Sequence, residues 1–250
     1  MNRYLSGLFI LALFGVSGAS RAADLTVSAA ASLTNAFTEL AKLYEVSNPG
    51  SRVFLNFGAS GSLLQQIARG APVDVFATAD VETMDRAEKQ NLVIKETRSS
   101  FASNALVLVA PRDARVTVDT LTDLSRADVA RIGLGIPESV PAGRYAKEAL
   151  EMAGLWDELK AKYVYGQNVR QVLDYTARGE VDAGIVYLTD AETMKNRVRL
   201  VSTLKTKHPI LYPISVIKGG GNERAARKFV NLVTSEQGFR ILHKYGFMAP

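Results

Sequence analysis

Apolar and polar positions along the chain follow two alternating periods. Leu25-Thr26-Val27-Ser28 reads as a short strand. After Ser32, the residues Leu33, Ala36, Phe37, Leu40, Leu43 and Tyr44 recur at the spacing of a helix with one buried face. Asn48-Pro49-Gly50 ends that helix. Val53, Leu55 and Phe57 alternate as a second strand. Gly58-Ala59-Ser60-Gly61-Ser62 then leads into a helix carrying Leu63, Leu64, Ile67 and Ala68, closed by Gly70. Residues 73–77 predict a third strand, and Asp80 caps the helix after it. A second series follows: strand 131–135, a helix from Arg144, strand 163–165, a helix from Val169, and strand 183–187. Residues 104–110 and 211–217 are extended, mostly apolar runs, and two amphipathic helices, 223–234 and 236–245, close the chain.

Strands alternating with helices predict an α/β fold built on parallel, doubly wound sheets with helices on both faces. If 104–110 and 211–217 are strands that cross between two such sheets, the molecule is two-lobed and hinged. Lobe 1 is then 23–104 plus 213–250, lobe 2 is 105–212, and a cleft lies between them. Length alone also permits a single compact α/β domain.

Residues 1–22 read as a removable export signal. Arg3 sits in a short positive start, Leu5 to Val16 form an uncharged, mostly apolar core, and Ser20-Arg21-Ala22 offers small residues for cleavage after Ala22. The apolar core is shorter than the ~20 residues of a membrane span; a retained N-terminal anchor is the other reading. Setting aside Arg3 and Arg21 lowers the basic excess from five to three. That excess is dispersed, with no Lys/Arg run of the kind that marks nucleic-acid binding. The chain has no cysteine, which excludes disulfides, a thiol nucleophile and thiolate metal sites. A 47% hydrophobic composition lets an exported chain hold itself through its core alone.

The candidate chemistry lies where helices begin. Ser32, Ser60, the Pro141-Ala142-Gly143 turn and Asn168-Val169 all sit in loops that follow strands and open helices. In a doubly wound sheet such loops gather at one edge. Each helix start leaves N–H groups without intrahelical acceptors and carries partial positive charge. Several converging starts make an anion site from neutral donors. The serines add hydroxyls, and Gly58, Gly61 and Gly143 let backbone approach a ligand. Singly, each feature is ordinary: a serine before a helix is mostly a cap, Val-Pro-Ala-Gly is a common turn, and Tyr187 at a strand end packs. The Gly-Ala-Ser-Gly-Ser loop lacks the Gly-Lys-Ser/Thr ending of a nucleotide-binding loop. Jointly they point to a bound oxyanion. Arg144 and Arg170, close by in sequence, read as solvent-facing helix positions.

These same segments resemble the periplasmic molybdate-binding (ModA) family. The resemblance rests on Ala29-Ala30-Ala31-Ser32-Leu33-Thr34-Asn35, Gly58-Ala59-Ser60-Gly61-Ser62-Leu63 and Gly70-Ala71-Pro72-Val73-Asp74-Val75-Phe76. It continues through Val140 to Leu150, Gly184-Ile185-Val186-Tyr187 and Tyr245-Gly246-Phe247. The resemblance implies a type II periplasmic binding protein fold and a pocket of five residues. Ser32, Ser60 and Tyr187 would supply hydroxyls, and Ala142 and Val169 backbone N–H groups. Ser62 is the other hydroxyl on the second loop. The implied ligand is molybdate or tungstate, held through its oxygens with no direct protein–metal bond and no cofactor. The implied partners are the membrane permease and ATPase subunits of an ABC importer, served by a periplasmic monomer that binds no nucleic acid.

Three rival readings are weaker. A serine hydrolase would need a base, and the only histidines, His208 and His243, adjoin none of the helix-opening loops. The ligand-sensing domain of a transcription regulator would carry a helix-turn-helix segment where this chain carries an export signal. Another tetrahedral oxyanion keeps the class: an all-donor pocket disfavours protonated phosphate, which needs an acceptor, and leaves sulfate to be rejected by size.

Overall fold

The computed structural model describes residues 24–250. The expected export signal and its cleavage after Ala22 lie outside the described residues. Among the described residues, no helix is long and apolar enough to cross a membrane.

The first half opens with β1 (Leu25–Ala30), α1 (Thr34–Ser47), β2 (Val53–Gly58), α2 (Ser60–Ala68), β3 (Val75–Ala77) and α3 (Val81–Lys89). Then come β4 (Ser99–Asn104), β5 (Leu106–Pro111), β6 (Ile132–Gly135), α4 (Pro141–Met152), β7 (Tyr163–Gly166), α5 (Val169–Ala177), β8 (Ala183–Tyr187) and α6 (Leu188–Thr193). The chain finishes with β9 (Val198–Leu204), β10 (Ile210–Val216), α7 (Glu223–Val233) and α8 (Glu236–Lys244). The period-3.6 and period-2 patterns therefore gave helices and strands where expected. Asp80 caps α3 by accepting from the Thr83 N–H at 3.2 Å.

Two five-stranded sheets result, in the orders β2-β1-β3-β10-β4 and β7-β6-β8-β5-β9. The molecule is an α/β protein of two lobes. The sheets share one plan and are mixed, not wholly parallel. In each, three strands run parallel, and the fourth, β10 or β5, runs antiparallel to both neighbours. These antiparallel strands adjoin the crossings. A single residue, Ala105, separates β4 in the first sheet from β5 in the second. The return runs through residues 205–209, between β9 and β10. The run 104–110 contains the first crossing, since Asn104 and Leu106 belong to different sheets, whereas 211–217 falls almost wholly in β10 of the first sheet, after the return.

β4, β9 and α6 escape sequence patterning. β4 carries one large apolar side chain, Phe101, and β9 is a half-exposed strand at its sheet's edge. One hydrophobic core runs through both lobes, joining Val27, Phe37 and Ile214 to Leu108, Leu134 and Ile185. Aromatic rings continue it across the divide: Tyr187 on β8 meets Tyr212 on β10 at 5.8 Å, and Tyr212 meets Phe247 at 5.3 Å. A smaller cluster of Leu63, Leu64, Ile67, Phe76 and Met84 packs α2 and α3 onto the first sheet.

Candidate functional site

A small cavity lies between the lobes, where the segments entering α1, α2, α4 and α5 converge. Ser32, Ser60, Ala142, Val169 and Tyr187 all line it, together with Ala79, Asn168 and neighbouring backbone. Its volume is about 10 Å³, room for roughly one water molecule. None of its lining residues is charged.

The local structure explains how each residue arrives. Ser32 does not cap α1. It sits in a 3-10 turn, Ala31–Leu33, just before that helix, and its Oγ lies 3.1 Å from Tyr212 Oη. Ser60 is the first residue of α2, because Ala59 occupies the cap position with extended backbone. Its Oγ accepts from the Ala79 N–H at 3.1 Å, which leaves its own proton to donate. Pro141 starts α4 three residues earlier than the apolar spacing indicated, since its fixed φ suits a first helical position. Ala142 is thus the second residue of the helix. Asn168 caps α5 by accepting from the Gln171 N–H at 3.1 Å, so Val169 is the first residue. In those positions the Ala142 and Val169 N–H groups have no intrahelical acceptor. Tyr187 ends β8 fully buried, and its hydroxyl donates to the Ala79 carbonyl at 3.1 Å. Ser62 is half-exposed and does not line the cavity.

The two lobes touch around this cavity. The Gly61 N–H donates across the cleft to Ser139 O at 3.0 Å. A Cβ at Gly61 would stand 2.8 Å from that oxygen, so the bare backbone is what allows the approach. Gly143 likewise lies against Gly135, whose carbonyl a Cβ would strike. At both positions the missing side chain admits neighbouring chain.

Neither arginine faces solvent. Arg144 on α4 pairs across the cleft with buried Asp80, donates to Thr83 Oγ1 at 3.1 Å, and sets its Nε 3.2 Å from Glu82. Burial opposes the Arg144 charge, but the Asp80 carboxylate more than offsets it and lifts the guanidinium above its ordinary range. Arg170 sets its Nε 2.5 Å from the fully buried Asp190 and donates to Ser32 O at 3.4 Å. Burial pushes the Asp190 carboxyl up to about 6 against the pull of Arg170. These pairs consume both cations, and neither lines the cavity. Sequence spacing could not pair Arg144 with a residue 64 positions away.

Burial also holds the Tyr187 phenol well above its usual value, so it remains a protonated donor. His208 and His243 are exposed and outside the cavity. Among the described residues, no group of three or more His, Asp or Glu side chains could hold a metal ion. A larger cavity of about 290 Å³ lies beyond the Asp80–Arg144 pair, lined partly by Tyr145, Glu148 and His208. Size favours that cavity, but its carboxylates oppose an anion, and the helix starts converge on the smaller one. The smaller cavity therefore offers uncharged hydroxyl and amide donors, an arrangement that suits an anion.

Residues 25–248 match the profile of bacterial extracellular solute-binding proteins. A relative from Bacillus subtilis, provisionally named the ABC transporter substrate-binding lipoprotein YvgL, is 39% identical, covering 90% of this chain and 86% of its own. The molybdate-binding protein ModA of Haemophilus influenzae is 36% identical over 98% of this chain and 97% of its own. Among solved structures, the periplasmic molybdate-binding protein of Azotobacter vinelandii shares the fold with a TM-score of 0.78 at 23% identity, covering 90% of this chain and 99% of that one.

Proposed function

Because this chain belongs to the bacterial extracellular solute-binding proteins, and within them to the ModA molybdate-binding family, we propose that it captures molybdate, and tungstate equally, for an ABC importer. The observation that carries this reading is the convergence of Ser32, Ser60, Ala142, Val169 and Tyr187 on one uncharged inter-lobe cavity. In the proposed complex the serine and tyrosine hydroxyls and the Ala142 and Val169 N–H groups donate to the oxyanion. Molybdenum is held only through its oxygens.

The energetics are adequate. A hydrogen bond to a charged group contributes about 1.5–3 kcal/mol. Five to seven such bonds give roughly 7–20 kcal/mol before costs, and micromolar affinity needs ~8 kcal/mol. No counter-ion in the cavity is required. A tetrahedral dianion exceeds one water in size, so its entry requires the lobes to part slightly. Tyr187 then exchanges the Ala79 carbonyl for a ligand oxygen. Closure brings both lobes against one ligand, and a membrane permease with its ATPase can favour that closed form. The protein acts as an exported, periplasmic monomer and performs no catalysis.

Thermal unfolding tests the reading. A ligand that binds only the folded form at about a thousand times its dissociation constant adds ~4 kcal/mol. At roughly 2–4 °C per kcal/mol for a chain of this size, molybdate should raise Tm by about 8–16 °C. An unchanged Tm at millimolar molybdate overturns the proposal.

A further inference from the structure

Tyr212 stands directly behind the anion cavity without lining it, and it is fully buried. Its hydroxyl lies 3.1 Å from Ser32 Oγ and 3.1 Å from Asn104 Nδ2. The polarity of this chain is set at Asn104, the last residue before the first crossing between the lobes. Asn104 Oδ1 faces two backbone N–H groups, Ala105 at 2.9 Å and Thr189 at 3.5 Å. That fixes which end of the amide is oxygen; turning it over would set donors against donors. Asn104 Nδ2 then faces Thr189 Oγ1 at 2.8 Å and Tyr212 Oη.

An amide nitrogen only donates. Tyr212 Oη therefore accepts from Asn104, and the phenolic proton is left for Ser32 Oγ. Ser32 accepts from Tyr212 and keeps its own proton for the cavity. We propose that Tyr212, oriented by Asn104, is a positioning residue that makes Ser32 a donor toward the bound oxyanion. Each link polarises the next, so the Ser32 hydroxyl is a stronger donor than an isolated serine. The relay starts at the crossing and touches α6 of the second lobe through Thr189, so donor direction at Ser32 depends on contacts from both lobes. This inference rests on reading the cavity as the molybdate site.

A double-mutant cycle tests it. Molybdate affinity is measured by calorimetry for wild type, Ser32→Ala, Tyr212→Phe and the double variant, with ligand-free thermal unfolding of each. Tyr212→Phe keeps the ring and should weaken binding about 2- to 12-fold, the equivalent of one neutral hydrogen bond. In the Ser32→Ala background it should have no further effect. In a Ser60→Ala background it should multiply the loss, because Ser60 bonds to Ala79 and not to Tyr212. Wild-type affinity in Tyr212→Phe, or equal weakening in the Ser32→Ala and Ser60→Ala backgrounds, overturns the proposal. Asn104→Asp gives a second route should Tyr212→Phe fail to fold. The new carboxylate draws the Tyr212 proton, and Ser32 then donates to Tyr212 instead of the cavity. Its weakening should be greater with Ser32 present than in Ser32→Ala, and equal weakening in both overturns the relay. A wild-type protein that binds no oxyanion overturns both this inference and the molybdate reading. Wild-type binding with independent losses overturns this inference alone.

Discussion

Replacing Ser60 by alanine removes one oxygen with two separable jobs. The side chain is fully buried, and its Oγ accepts from the Ala79 N–H at 3.1 Å. Without it that N–H is left buried and unsatisfied, at a cost of about 1–3 kcal/mol. Tm of the ligand-free protein should fall by about 2–12 °C, at roughly 2–4 °C per kcal/mol. The second job is donation to the oxyanion. Losing one charge-assisted bond costs about 1.5–3 kcal/mol, so molybdate affinity should fall roughly tenfold to 150-fold. Differential scanning calorimetry reads the first effect and isothermal titration the second. Ser62→Ala is the control, half-exposed on the same helix and outside the cavity. Both of its effects should stay within about 0.5 kcal/mol. If Ser62→Ala abolished binding and Ser60→Ala did not, the assignment of donors on α2 would be wrong.

Gly61→Ala tests the close approach of the two lobes. The added methyl would press on Ser139 across the cleft, and overpacking costs about 1–3 kcal/mol, so molybdate affinity should fall roughly 5- to 150-fold. Tm without molybdate should fall as well, by up to about 10 °C at roughly 2–4 °C per kcal/mol, because alanine's better helix propensity offsets only part of the strain; unchanged affinity contradicts the close approach. Asp190→Asn tests the buried pair beside the cavity by urea unfolding from pH 4 to 7. Burial lifts the Asp190 carboxyl from 3.8 to about 6, so the folded state holds this proton more tightly than the unfolded state. The stability it contributes is present below pH ~4 and lost as pH rises through 6, by about 3 kcal/mol at 1.36 kcal/mol per unit. Wild type should therefore lose stability relative to Asp190→Asn across that window. A relative gain would mean that the Arg170 partner outweighs burial.

The fold was legible because most elements carry one clear period. α1 shows five buried positions on one face, and β5 buries all six residues. β4 was not legible, because Ser-Ser-Phe-Ala-Ser-Asn owes its place to pairing with β10. The return crossing was displaced for a related reason: an apolar run does not reveal which sheet its hydrogen bonds enter. The five cavity residues were nameable because helix starts are local signals and the family resemblance aligned them. Tyr212, Asn104 and the Asp80–Arg144 pair were not. Each acts through a partner at least 64 positions distant, so only the folded chain brings them together. Arg170 misled although its partner is nearer in sequence, since Asp190, the carboxylate that turns it inward, lies beyond β8 on α6.

The most direct test of the central claim is a calorimetric titration of the protein with molybdate, tungstate, sulfate and phosphate in turn. An uncharged, all-donor cavity in this family predicts comparable, tight binding of molybdate and tungstate. Sulfate should be far weaker because it is smaller, and phosphate because none of the five proposed ligand residues is a carboxylate that could take its proton. Sulfate or phosphate binding more tightly than molybdate would contradict the account.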